Sequence, residues 1–212
     1  MIARVRFLLL ACVLCVSAFP QERRPVKLPP PRTDGGRPLM QALKDRQSTR
    51  SFAPREIPLQ VLSDLLWAAG GINRPDSGRR TAPSAHNWQE IDIYAVAADG
   101  VFVYRAKDHS LSTLLSEDLR ALAGTQDFVR QAPLNLIYVA DFAKMSEGSE
   151  EEKMFYAAAD TGFMAQNVYL YCASEGLVTV VRASVDKPAA AKKLGLAPTQ
   201  RITLAQTVGY PK

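Results

Sequence analysis

Apolar residues recur along the chain at three- and four-residue intervals in some stretches and in short unbroken runs in others, so helices and strands should alternate. Pro38 stands at a first helical position, with Leu39, Met40 and Leu43 as an apolar face behind it, and this helix should end near Asp45. Pro58 opens a second helix in which Leu59, Val61, Leu62, Leu65, Leu66 and Ala69 share one broad face before Gly70 and Gly71 stop it. Ile91 to Ala97 and Val101 to Tyr104 flank Asp99-Gly100, a pair that favours a two-residue hairpin between antiparallel strands. Short helices are expected over Ser116 to Ala123 and Asp127 to Gln131. A strand follows over Leu134 to Ala140, where the apolar run suits cover on both faces.

Ser149 to Glu175 contains no proline and one glycine, Gly162, and closes on Gly176, which predicts one long helix. Its apolar residues, among them Met154, Phe155, Ala158, Phe163, Met164, Val168, Leu170 and Tyr171, cover most of its circumference. The helix should therefore be central, or shared with a second subunit. A strand over Thr179 to Ser184, a helix over Asp186 to Leu194 and a strand over Arg201 to Val208 complete the chain. No internal repeat is visible.

The N-terminus follows another pattern. Arg4 and Arg6 precede an apolar run from Phe7 to Val16, and Val16-Ser17-Ala18 fits cleavage before Phe19, so residues 1–18 read as a removable export signal. The run falls short of the about 20 apolar residues that span a bilayer. A lipoprotein reading, in which Leu9-Leu10-Ala11 leads to Cys12, leaves almost no apolar stretch before the cysteine. Export implies a periplasmic protein. Residues 19–38 hold Pro20, Pro25, Pro29, Pro30, Pro31, Pro38 and Gly35-Gly36, the composition of a linker or of an arm wrapped on the surface, and residues 39–212 form one domain.

Charge and cysteine usage narrow the chemistry. The formal net charge of +5 belongs to the ends of the chain. Residues 1–18 carry two arginines and no acid, and residues 19–38 carry five basic residues against Glu22 and Asp34, leaving 19 basic and 19 acidic residues in the domain. Such a domain has no net field for a polyanion, so nucleic acid is not an expected partner. With Cys12 and Cys15 inside the signal, Cys172 is left alone in an apolar helical stretch, where a buried structural thiol is expected and no internal disulfide can form. Two histidines, His86 and His109, and one cysteine make a poor zinc set, and no metal is expected. A dinucleotide fingerprint, a P-loop and a nucleophile elbow are all missing.

Two segments carry candidate chemistry. In Arg46-Gln47-Ser48-Thr49-Arg50, extended backbone would turn Arg46, Ser48 and Arg50 to one side, and two guanidinium forks with a hydroxyl make a cradle for a phosphate. The same residues equally describe a locally capping serine between solvated arginines. Thr81 to Gln89 is a loop of small and amide residues before a strand. It permits close approach of a flat ring, with Asn87 and Gln89 as polar contacts, or it is an ordinary turn.

Taken in order, these pieces resemble the nitroreductase family. The matching stretches are Arg46-Gln47-Ser48-Thr49-Arg50-Ser51-Phe52, Pro83-Ser84-Ala85-His86-Asn87-Trp88-Gln89, Ala159-Asp160-Thr161-Gly162-Phe163-Met164-Ala165-Gln166-Asn167, Gly176-Leu177 leading to Asp186, and Val208-Gly209-Tyr210-Pro211. Leu65-Leu66-Trp67-Ala68-Ala69-Gly70-Gly71 and Arg80-Thr81-Ala82-Pro83-Ser84-Ala85 are similar to the branch holding the azoline dehydrogenases of modified-peptide pathways.

The resemblance implies an α+β, nitroreductase-like fold with a central, mainly antiparallel sheet. It also implies a homodimer with two FMN sites at the interface, and a ping-pong passage of hydride from NAD(P)H or another donor to a small-molecule substrate. Arg46, Ser48 and Arg50, with Gln47 beside them, match the FMN phosphate and ribityl positions, and Pro83, Ser84 and Asn87 match the loop along the ring. Val181, Arg182, Ala183 and Ser184 match the segment facing the reactive edge of the flavin. Ser184 replaces a frequent glycine. Arg182 is an unusual charge there, suited to an acidic substrate or the flavin pyrimidine oxygen, or to an outward salt bridge. The cofactor carries the chemistry, so no acid–base residue is implied. The alternatives are a flavin-binding scaffold or electron carrier without turnover, and an azoline-type dehydrogenase acting on a modified peptide.

Overall fold

The computed structural model describes residues 25–212. The export signal expected over residues 1–18, and the proline-rich segment as far as residue 24, lie outside the described residues. In chain order the elements are β1 (Val26–Lys27), α1 (Leu39–Asp45), α2 (Leu59–Gly70), β2 (Ile72–Arg74), β3 (Arg79–Arg80), β4 (Ile91–Ala97), β5 (Gly100–Arg105), β6 (Ser110–Leu115), α3 (Asp127–Gln131), β7 (Leu134–Asp141), α4 (Glu150–Glu175), β8 (Val178–Arg182), α5 (Lys187–Leu194) and β9 (Gln200–Gly209). Seven strands form one sheet in the order β1-β6-β5-β4-β7-β9-β8, with every neighbouring pair antiparallel. β2 and β3 form a separate ribbon.

β7 shows why the sheet has two covered faces. Alternate residues of a strand point to opposite sides. Leu134, Leu136, Tyr138 and Ala140 join Leu65, Leu66 and Ala69 of α2 and Ala157, Met164, Ala165 and Val168 of α4. Ile137 and Val139 join Val129 of α3 and Ala190 and Leu194 of α5. The apolar run read in the sequence therefore divides between two helical layers. Each fully buried leucine contributes about 1.5–3 kcal/mol, so Leu65 and Leu66 are the main anchors of α2, with Ala69 beside them.

The long helix begins as the sequence suggests. The Ser149 hydroxyl accepts from the Glu152 amide at 3.2 Å, while the Glu152 carboxylate accepts from the Ser149 amide at 2.9 Å, a reciprocal cap. Gly176, at φ 72°, provides the left-handed stop.

Five expectations need correction. The hairpin turn is Ala98-Asp99, because Ala97 already pairs with Gly100; a Cβ at residue 100 would come within 2.4 Å of the Leu115 carbonyl oxygen, so glycine belongs in the strand. β6 was not anticipated, since Ser110 to Leu115 lacks clean alternation and its pairing with β5 slips between Val101 and Phe102. The helix expected over Ser116 to Ala123 is only a 3₁₀ turn at Arg120–Ala123. β8 stops at Arg182, and the Ser184 carbonyl instead accepts from the Thr125 amide at 3.2 Å. Finally, the apolar face of α1 points outward: Leu39, Met40 and Leu43 are 63%, 75% and 43% exposed, and Ala42 is the residue that packs inward.

The proline-rich segment is fixed where it is described. Val26 and Lys27 pair with β6, Leu28 enters the core, and the Pro29 carbonyl accepts from Ser63 at 2.6 Å. His109 sits within hydrogen-bond reach of Ser63, Tyr104 and the same Pro29 carbonyl. Among the described residues, no helix is long and apolar enough to cross a membrane.

Candidate functional site

The Arg46 to Arg50 stretch leaves α1 at its C-terminus and runs past α4 and β8. The Thr49 amide donates to the Thr179 carbonyl at 3.0 Å, and Ser48 bridges to Thr179 in parallel sense. Tyr169 of α4 gathers the rest. Its hydroxyl lies 2.8 Å from Ser48 Oγ and accepts from the Val181 amide at 3.0 Å, and the Arg46 guanidinium rests over its ring at 5.3 Å. One buried tyrosine thus ties Ser48, Arg46 and Val181 together. Gln47 is exposed beside this cluster, and Arg50 is exposed with no carboxylate partner among the described residues.

The second stretch is held by another residue of α4. Asp160, 3% exposed, accepts from the Ala85 amide at 2.9 Å. Within the loop, Ser84 Oγ accepts from the Gln89 amide at 3.1 Å, and the Gln89 side chain bonds Gly78, Asn87 and Arg80. His86, Asn87 and Gln89 have φ values of 50°, 55° and 50°, a conformation that strains non-glycine residues. Contacts at both ends therefore maintain the loop. Pro83 and Asn87 are exposed and Ser84 is half-buried, while the His86 ring stacks on Trp88 at 4.4 Å.

Behind the loop, Glu90 is fully buried and neither of its carboxyl oxygens has a hydrogen-bond partner among the described residues. Burial above all, together with the neighbouring Asp160, pushes its carboxyl up to about 7. Burial raises the Asp160 carboxyl as well, against the pull of the Ala85 amide.

Arg182 departs from its expected setting. Its guanidinium turns into the domain, donating to the Ala123 carbonyl at 2.8 Å, Thr207 Oγ1 at 2.7 Å and Asn135 Oδ1 at 3.3 Å, with Nε left unpartnered. Among the described residues it forms no salt bridge, and burial lowers its pKa to about 10, which keeps it charged at neutral pH. Gly124 makes room for it, since a Cβ there would lie 1.9 Å from Nη1. Ala183 and Ser184 are exposed at the end of β8, and Val181 is half-buried.

A single chain does not bring the two stretches together. Asp160 and Tyr169 are nine positions apart, which at about 1.5 Å and 100° per residue separates them by about 13–14 Å along α4 and half a turn around it. They occupy the two edges of the buried face of the helix. Between them, on the outer face, lie the exposed Phe155, Ala159, Gly162, Phe163 and Gln166. Sequence reasoning missed Tyr169 and Glu90 and assigned Asp160 no role. A polar residue recurring in an otherwise apolar helix was the available signal for Asp160, whereas nothing local marks Glu90 as buried.

Comparison with known proteins agrees with this architecture. A crystal structure from Ralstonia eutropha JMP134, provisionally named a nitroreductase, superposes with a TM-score of 0.85 at 40% identity, covering 92% of this chain and 93% of that one. A protein of Methanocaldococcus jannaschii with a similarly provisional nitroreductase name is 32% identical over 152 residues, 67% of this chain and 76% of the relative. A chain of the Escherichia coli microcin synthetase McbBCD complex, solved with truncated pro-MccB17 bound, shares the fold at a TM-score of 0.68 and 20% identity, covering 93% of this chain and 84% of that one. Residues 43–210 match the profile of the Nitroreductase family, and the chain belongs to that family of oxidoreductases.

Proposed function

We propose that the protein is an FMN-dependent oxidoreductase acting as a homodimer, with each of two FMN sites built from both protomers. The observation that carries this reading is the placement of the two candidate stretches at opposite edges of the exposed face of α4. A two-fold partner docked on the exposed Phe155, Phe163, Leu39, Met40 and Leu43 would set the Arg46–Arg50 edge of one protomer beside the Ser84–Gln89 edge of the other. The apolar residues of α1 and α4 that one chain leaves exposed are those such a dimer would cover.

The residues fit the cofactor's chemistry. Arg46 and Arg50 carry guanidinium groups without carboxylate partners among the described residues, free to donate to a phosphate, with Ser48 and Gln47 beside them. Pro83, Ser84 and Asn87 would lie along the ring, their small and amide side chains allowing close approach. The backbone of Val181 to Ser184 would face its reactive edge. Arg182 contributes there through its backbone, because its side chain is committed inward. The flavin supplies acceptance and return of hydride at N5. The protein binds it, orients it and excludes water. A ping-pong cycle then runs from NAD(P)H or another donor to a small organic acceptor. Export through residues 1–18 into the periplasm, where nicotinamide cofactors are scarce, favours another electron carrier as donor.

The absorbance spectrum of the purified protein tests this. A yellow protein bleached by NAD(P)H or by a low-potential carrier dye supports the oxidoreductase. A yellow protein reduced by neither favours a carrier without turnover, and a colourless protein that stays colourless with added FMN overturns the reading in favour of a scaffold.

A further inference from the structure

Glu90, just before β4, and Asp160, on α4, are 70 positions apart in sequence, yet their carboxyl groups adjoin in space. Asp160 holds the Ala85 amide at 2.9 Å, while the fully buried Glu90 presents two unpartnered oxygens on the inner side of the same loop. Two ionised carboxylates so placed would repel one another with little water to screen them. One proton between them removes the repulsion: Glu90 becomes a donor, Asp160 remains an acceptor, and Asp160 keeps its second interaction with Ala85.

We propose that Glu90 and Asp160 share a single proton, and that this protonated pair is the positioning device for the Ser84–Gln89 loop. Three residues of that loop sit at positive φ, so its conformation depends on being tied down, and the Ala85–Asp160 bond is its tie to the long helix. When the proton leaves, Asp160 is pushed off Ala85 and the loop relaxes. The pair acts as one titrating unit. The raised carboxyl of Glu90, at about 7, places that event near neutrality.

The surrounding charges are consistent with this role. Lys144, ion-paired with Asp92 at 2.8 Å, favours ionisation of Glu90, and the half-buried Arg80, whose guanidinium senses Glu90 and Asp92, stands on the other side. On the loop, His86 faces Glu147 at 3.6 Å, outside the buried pair. Asp141 approaches Glu90 only through its amide, which donates to the Glu90 carbonyl at 3.0 Å. Among the described residues, therefore, no cation is ion-paired with either carboxyl directly.

As a positioning role in the proposed flavin site, this inference rests on that reading, but its test reads the flavin-free protein. The amide proton of Ala85 is followed by NMR in the ¹⁵N-labelled full dimer from about pH 5 to about pH 9. The wild type should show a titrating Ala85 shift with a midpoint near 7, together with amide exchange that quickens at least about tenfold beyond the intrinsic pH effect. Glu90→Gln, which keeps the donor but cannot ionise, should hold Ala85 in its low-pH position throughout. Asp160→Asn should move Ala85 upfield at every pH. His86→Asn should leave the titration in place. An unchanged titration in Glu90→Gln, its disappearance in His86→Asn, or an Ala85 amide indifferent to Asp160→Asn would each overturn the proposal. Failure of the wild type to bind FMN, with the Ala85 titration intact, would count against the flavin site and not against the shared proton.

Discussion

The two edges of α4 perform the same mechanical task with different chemistry. At one edge Tyr169 secures Ser48 and Val181 through its hydroxyl and supports Arg46 on its ring. At the other, Asp160 secures Ala85 through a carboxyl with a second, buried carboxyl behind it. The chemistry of the two attachments differs, and so do the segments they hold. Arg46 to Arg50 is extended backbone bridged to β8, whereas Ser84 to Gln89 contains three residues at positive φ. The hydroxyl attachment serves an unstrained segment and the carboxyl attachment a strained loop.

The comparison can be broken at several points. The largest effect is expected at the outer side of the Tyr169 edge. Replacing Arg46 and Arg50 together with alanine removes two charge-assisted contacts of about 1.5–3 kcal/mol each, an affinity loss for FMN of about 10²- to 10⁴-fold, with the flavin-free unfolding midpoint almost unmoved. Fluorescence titration with FMN and thermal unfolding check this, and full occupancy in the double variant removes the phosphate assignment.

Next comes the pH dependence of stability. Folded Glu90 keeps its proton to about 7, while the unfolded chain releases it near 4.5. The folded state therefore binds more protons in that window, and its stability should fall as pH rises from about 4.5 to about 7, by at most about 1.4 kcal/mol per unit, then level off. Urea unfolding should show the slope in the wild type and a flatter profile in Glu90→Gln. Tyr169→Phe should cost less, about 1–2 kcal/mol, because the half-buried Val181 amide loses its acceptor. His86→Asn, on the exposed rim and already at positive φ, should change stability by no more than about 0.5 kcal/mol.

Much of the architecture was legible because its causes are local. The unbroken apolar run of β7, the Ser149 and Gly176 boundaries of α4 and the broad apolar face of α2 follow from periodicity and capping. β6 was not legible, because Ser110, Ser112 and Thr113 interrupt its alternation and its pairing comes from β5 across a slipped register. Arg182 shows the same limit at the site. Its charge was visible, but the carbonyl and hydroxyl acceptors that draw it inward come from Ala123, Asn135 and Thr207, far apart along the chain.

The chain by itself determined which residues could form helices, where the long helix begins and ends, and which short stretches carry phosphate-like and ring-like chemistry. These properties depend on neighbours within a few positions, where side-chain spacing and caps act. Tertiary structure alone decided that Tyr169 and Asp160 would flank one exposed helical face, that Glu90 would be buried without a partner, and that the apolar side of α1 would point outward. Burial and long-range pairing set those outcomes, and both arise only after distant segments pack, when the cost of desolvating each polar group depends on what surrounds it.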